Sequence, residues 1–438
     1  MPLDWFKLSL QLNKFPIKRA QKTLEKIQAI PEEVYAEYQR KRRNSIIDYH
    51  IQHNSFYREF FNWDGFDDWK YVPIMKKADL QHPLRERLSS TYNTKTAYVG
   101  KTSGSSGHPF IFAKNRFAHA LTWAGFQDRY RWYDIDLNKS LQARFYGIPL
   151  DFYGNIQERL KDRISLRRRF NIFDLSEPKM EAFLKRFRNS NFDYLNGYTS
   201  AIVLFARFLK DKGIILKELC PSLKICIVTS ERLFEKDKEL IENSMGVPVI
   251  NEYGASEVGL IAFEDENNHW IVNSEDLYLE ILDENDNILP YGEEGRVVIT
   301  SLFNKAHPMI RYDIGDIGCL SKESTLKKPI LEKLIGRTND IARLPDGKVV
   351  PGLTFYYVTK TVIEDSGNIK EFVIIQTDIE SFRIEYVSEN ELSKEEKIRI
   401  LDAIKTYVGK NLNIRFERKE ILKRSPSGKL KQFTSLLK

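Results

Sequence analysis

The sequence predicts an α/β protein, with a large N-terminal domain of mixed sheets and a small α+β domain at the C-terminal end. Three observations carry this. Between 75 and 260 helical and strand-like segments alternate, the order of βαβ units. From 277 to 302, LYLEILDENDNILPYGEEGRVVITSL sets strand-like runs around an acidic Asp/Asn turn, the mark of antiparallel hairpins. From about 341 the texture changes again, to a mixed strand, helix and basic end.

Taken in order, EAFLKRFRNS (181–190) reads as a helix, and YTSAIVLFARFLKDKG (198–213) as a second that stops at Gly213. LKICIVTS (223–230) is a β-branched run of the kind buried in parallel sheets. EKDKELIENSMG (235–246) is a helix closed by Gly246, and VPVINEYG (247–254) is the next strand. In the last hundred residues FVIIQT (372–377) predicts a strand and SKEEKIRILDAIKTYVGKN (393–411) a helix. The expected division is 1–45, a basic helical segment; 46–339, a large domain; and 340–438, a small domain.

Composition narrows the function classes. The 438 residues carry 68 Lys+Arg against 61 Asp+Glu, a formal charge of +7, too small a bias for a dedicated nucleic-acid binder. With 42% hydrophobic residues the chain can bury a large core, which argues against disorder. Cys220, Cys226 and Cys319 form no C-x-x-C pair and exclude a disulfide scaffold. MPLDWFKLSL lacks a signal-peptide pattern, and the dozen-residue apolar stretch 198–209 is too short to span a bilayer. The expectation is a cytoplasmic protein, with peripheral contact at the inner membrane face left open.

The positive charge is local. Residues 1–45 have a net charge of +5, and RLKDRISLRRR (159–169) another +5, so the other 382 residues sum to −3. Each cluster is either a solvated face or a surface for an anionic partner. Trp5, Phe6, Leu8, Leu10, Leu12 and Phe15 among lysines make 1–45 the place for a membrane or polymer partner. The second cluster is a candidate surface for an anionic partner such as a phosphorylated substrate.

Five segments carry the chemistry. YVGKTSGSSGHPF (98–110) interleaves Thr102, Ser103, Ser105 and Ser106 with Gly104 and Gly107, so hydroxyls and N–H groups can surround phosphate oxygens. It is not a Walker A loop, since the motif needs Gly at 95 and the residue is Lys95. YGASE (253–257) follows a strand directly, where Tyr253 could stack on a base and Glu257 hold a cation. RYDIGD (311–316) places Asp313 and Asp316 at a turn, able to accept hydrogen bonds from a ribose diol. GRTND (336–340) and SPSGKLKQF (425–433) add Arg337, Asp340 and Lys429. Phe145, Tyr146, Phe152 and Tyr153 suit an acyl pocket and a core equally well.

In this order and spacing, these motifs resemble the adenylate-forming superfamily of acyl-CoA synthetases and adenylation domains. NSFYREFF, VPIMKKADL and HPMIRYDIGD are similar to its phenylacetate–CoA ligase-like branch, which includes capsule-biosynthesis adenylating enzymes. The resemblance implies that Thr102, Ser103, Gly104, Ser105, Ser106 and Gly107 wrap the phosphates of ATP. It implies that Tyr253 and Gly254 lie against the adenine, Asp316 on the ribose, Glu257 on Mg²⁺, and that Arg337 orients the nucleotide. Lys429 would bridge the α-phosphate and the substrate carboxylate, and Asp340 would be the hinge of a mobile C-terminal domain. The implied partners are a small carboxylic acid and CoA, with no nucleic acid. Two departures stand out: Asn339 sits where the family often has Asp, and FEDENNHW (263–270) has His269 but no Cys, so no structural zinc is expected. The rival readings are the same chemistry with a sugar or amine acceptor in surface-polysaccharide assembly, and a non-catalytic nucleotide-binding scaffold.

Overall fold

The computed structural model describes residues 5–62, 68–102, 110–147, 162–172, 175–231, 233–335, 341–351, 369–388, 390–409, 412–422 and 433–437. The chain divides into two compact units. The first comprises Met1–Ser103, Pro109–Asp136 and Glu252–Gly336; the second comprises Gly104–His108, Leu137–Asn251 and Arg337–Lys438.

The first unit opens with three helices, Trp5–Leu12, Ile17–Gln28 and Glu32–His53. In the second, Ile17, Ala20, Leu24 and Ile27 are buried at spacings of three and four, the stripe that one helical face presents to a core. It lies along the helix Arg116–Arg131, with Gln21 donating to Gln127 at 2.8 Å. Phe6 and Leu10 are buried, and the ring of Phe6 meets that of Trp123 at 5.1 Å. Phe6 and Leu10 therefore pack on the protein itself, while Leu12 stays 74% exposed and Lys14, Lys18, Arg19, Lys22 and Lys26 face solvent. No described helix is long and apolar enough to cross a membrane.

The predicted hairpin is present. Leu277–Leu282 pairs antiparallel with Glu294–Ser301, which pairs with Tyr312–Leu320, which in turn pairs with Leu331–Ile335. A separate hairpin joins Tyr98–Lys101 to Ile111–Lys114. The end of strand Val249–Ala255 pairs antiparallel with Gly259–Glu264, and that with Trp270–Val272.

In the second unit, strands Arg167–Phe170, Gln142–Phe145, Tyr194–Tyr198 and Ile225–Thr229 run parallel in that order, the arrangement expected of βαβ units. Their crossovers use helices Glu177–Arg188 and Thr199–Asp211, with Glu235–Met245 ending at Gly246. Phe145 is fully buried and stacks on Phe170 at 4.9 Å, so it belongs to the core. Tyr146 packs on Tyr198 at 4.7 Å; Phe152 and Tyr153 lie outside the described residues.

The α+β texture after 341 is a four-stranded sheet in the order Asn413–Arg418, Ser381–Ser388, Ile369–Gln376 and Phe433–Ser435. Burial alternates along Ser381–Ser388, which turns Phe382, Ile384 and Tyr386 into a core shared with Ile400 and Ile404 of the helix Lys394–Tyr407. Ser393 and Glu396 close a capping box at that helix's N-terminus, worth about 1 kcal/mol.

Candidate active site

Tyr253 lies near the end of its strand with its ring 9% exposed, and Asp316 lies on the strand Tyr312–Leu320. The Tyr253 hydroxyl donates to Asp316 Oδ2 at 2.8 Å. The strand distinguishes the two acids of RYDIGD. Asp313 accepts from Arg296 at 2.9 Å and from the Gly315 N–H at 2.8 Å, so it holds the turn, while Asp316 is tied to the aromatic ring. The register with Glu294–Ser301 slips between Arg296 and Val298, opposite Ile314–Asp316, and this bulge aims Asp316.

Glu257 occupies the turn between Val249–Ala255 and Gly259–Glu264 and is buried, 8% exposed. Tyr312 donates its hydroxyl to Glu257 Oε1 at 3.3 Å. The turn closes at Gly259 with φ of +102°, and a Cβ there would meet Thr122 at 2.6 Å and Lys114 Nζ at 3.2 Å. Only glycine fits both the conformation and the space. Lys114 is buried, which lowers its pKa to about 8 against the opposing pull of Asp276 and Glu257. Burial also raises Asp276 to about 7, offset by Lys114 and Thr122. An ammonium and a carboxyl thus lie beneath the turn that carries Glu257.

Thr102 is hydrogen-bonded to Phe110, on either side of residues 103–109. Its N–H donates to the Phe110 carbonyl at 3.0 Å, and its hydroxyl accepts from the Phe110 N–H at 3.0 Å. Phe110 stacks on Tyr312, with centroids 6.3 Å apart and planes at 19°. Below it, the Arg87 guanidinium donates to the carbonyls of His82 and Ile111 at 2.8 Å each and to His307 Nε2. Arg87 is 2% exposed and its pKa falls to about 10 through burial alone. Because Arg87 can only donate, His307 carries its proton on Nδ1, and burial with the nearby Arg87 charge keeps the ring neutral.

The described members of three predicted motifs therefore meet in the first unit: Thr102 through Phe110 to Tyr312, Tyr312 to Glu257, and Tyr253 to Asp316. Gly254 pairs across to Leu260 beside them. Ser103, Gly104, Ser105, Ser106, Gly107, Arg337, Asp340 and Lys429 lie outside the described residues. Mg²⁺ takes one or two protein carboxylates and completes its shell with phosphates and water, which suits the buried Glu257. Among the described residues no three His, Cys, Asp or Glu side chains gather as a metal cluster. His269 sits in a turn, its N–H donating to Asp265 Oδ1 at 2.8 Å.

Sequence reasoning missed Lys114, Tyr312, Arg87 and His307. Lys114 had a signal: it ends a strand whose Phe112 and Ala113 are apolar and buried, a position where a lysine needs a reason. Arg87 had none, because LRER reads as an exposed helical turn.

The comparisons agree with this architecture. The family model for the CapK C-terminal domain matches residues 345–435. Protein CapK of Staphylococcus aureus is 22% identical over 408 residues, covering 90% of this chain and 87% of that protein. The phenylacetate-coenzyme A ligase of Thermus thermophilus is 22% identical over 354 residues, covering 74% and 75%. Among solved structures, 2-hydroxyisobutyryl-CoA ligase in its thioesterification state, with 2-HIB-AMP and CoA bound, superposes with a TM-score of 0.58 at 16% identity, covering 94% of this chain and 91% of that one. The chain thus has the adenylate-forming fold, with sequence relatives named CapK and phenylacetate-coenzyme A ligase and a C-terminal segment of the CapK type.

Proposed function

We propose that the protein is an ATP-dependent, AMP-forming ligase that activates a carboxylic acid as its acyl-adenylate and transfers the acyl group to CoA. The observation that carries this is the Tyr253–Asp316 hydrogen bond with Glu257 held alongside on Tyr312. In the first step a carboxylate oxygen attacks the α-phosphorus, the bond to the β-phosphate oxygen breaks, and pyrophosphate leaves. In the second, the CoA thiol attacks the acyl carbon, loses its proton, and AMP departs.

The residues answer the electrostatic problem of bringing two anions together. Tyr253 offers a face to adenine while its hydroxyl orients the Asp316 carboxylate towards the ribose. Mg²⁺ on Glu257 would supply charge neutralisation at the phosphate oxygens. Thr102 fixes the neck of a loop made of neutral donors, and Lys429 would contact the α-phosphate and the acid. Placing that lysine on a separate domain lets it withdraw after adenylation and leave room for the acceptor.

A second reading keeps the first step and changes the acceptor to a sugar or amine used in surface-polysaccharide assembly. The likeness to CapK over nine-tenths of the chain favours it. A pyrophosphate-release screen across aryl, fatty and amino acids, with and without CoA, tests both. An acyl-CoA product supports the first reading; acid-dependent pyrophosphate release that yields no thioester supports the second. ATP binding with no release on any acid would leave the scaffold reading.

A further inference from the structure

In the second unit, residues of the arginine-rich segment line a concavity. Leu141, Arg163, Leu166, Arg167 and Arg168 line a cavity of about 370 Å³. Its shape is set by the backbone. Leu166 adopts φ of +51°, rare for a branched side chain, and its N–H donates to the Arg163 carbonyl at 3.3 Å while its carbonyl accepts from Gln142 at 2.9 Å. This turn places Arg163 on the same rim as Arg167 and Arg168 at the start of the strand Arg167–Phe170.

The charges there are unbalanced. Asp162, the acid of the cluster, is committed to Arg169 through two hydrogen bonds of 2.7 and 3.1 Å. Arg163 and Arg168 are exposed, and among the described residues neither guanidinium has a hydrogen bond or ion pair. Arg186, whose guanidinium lies 4.1 Å from the centroid of the Phe170 ring, feels the like charge of Arg168. Among the described residues no carboxylate lines the cavity. Arginines lining a cavity with no described acid match an anion with several oxygens, and the two leucines offer an apolar floor to its organic part.

We propose that this pocket binds a phosphomonoester dianion through Arg163 and Arg168, with Arg167 adding positive charge. The group could come from the 3′-phosphate of CoA or from a sugar phosphate. The proposal does not depend on the ligase reading, because it is read by equilibrium binding.

Isothermal titration of the full chain with CoA, 3′-dephospho-CoA and glucose 1-phosphate tests it. Wild type should bind CoA more tightly than its dephospho form, or bind glucose 1-phosphate; the first result names CoA as the source, the second a sugar phosphate. Arg163→Ser/Arg168→Ser should weaken the phosphate-dependent binding by about tenfold or more, and leave 3′-dephospho-CoA unchanged. Arg163→Lys/Arg168→Lys, which keeps the charge and loses the planar fork, should recover part of the loss. Both positions are exposed, and a melting curve for each variant checks the fold. The proposal is overturned if wild type binds neither phosphorylated ligand, or if the double serine variant binds them as tightly as wild type.

Discussion

The hydroxyl of Tyr253 donates to the carboxylate of Asp316 at 2.8 Å, joining residues 63 positions apart on different strands of one unit. The bond fixes the carboxylate relative to the ring, so under the proposed function base and ribose recognition would share one geometry. Tyr253→Phe removes one hydrogen bond, worth about 1 kcal/mol, and should raise the ATP KM roughly fivefold. Asp316→Asn keeps the acceptor but loses the charge, and should raise it further. Both are read from pyrophosphate release at varied ATP.

Gly259→Ala tests the turn that carries Glu257. A Cβ at φ of +102°, 2.6 Å from Thr122, must displace backbone or neighbour. A stability loss of about 1–3 kcal/mol by urea denaturation is expected, with a kcat loss exceeding what the unfolded fraction explains.

Arg87→Met removes the donor shared by His82, Ile111 and His307 beneath Phe110. Leaving the buried His307 nitrogen and two part-buried carbonyls unpaired should cost roughly 3 kcal/mol, visible as a lower urea midpoint. Arg87→Lys cannot reach all three partners and should recover only a fraction.

His50 gives a pH prediction. A carbonyl can only accept, so His50 Nε2–H donates to Asn304 at 2.9 Å, and Ser89 donates to Nδ1 at 3.3 Å. Burial lowers its pKa from 6.5 to about 4, so the folded ring stays neutral while the unfolded ring takes a proton. The unfolded state then binds more protons between about 6.5 and 4, and stability falls as pH drops through that window. His50 alone contributes up to about 3 kcal/mol, and His50→Asn should flatten the slope of denaturation free energy against pH there by about one proton.

Much of the fold was legible because its signals are local. EKDKELIENSMG stops at Gly246 in the structure, and LYLEIL and GRVVITS pair as antiparallel strands, because periodicity and turn chemistry act within a few residues. The site was legible only as separate motifs. Nothing in RYDIGD says that Asp313 is occupied by Arg296 and Asp316 by Tyr253, since each partner comes from another strand. Lys114 and Arg87 were missed for the same reason: burial of a charge is decided by what folds over it. The basic N-terminal segment shows the converse, since its stripe of Ile17, Ala20, Leu24 and Ile27 reads as free until the helix Arg116–Arg131 lies along it.

The central claim is formation of an acyl-adenylate by this chain. ATP–pyrophosphate exchange, measured with the acid found by the release screen, tests it most directly. Lys429→Ala should lower the exchange rate roughly a hundred- to thousand-fold, the effect of losing ~3–4 kcal/mol of transition-state stabilisation, and Glu257→Gln should shift its Mg²⁺ dependence to higher concentration. Exchange that survives Lys429→Ala undiminished, or is absent with every acid while ATP still binds, would contradict the account.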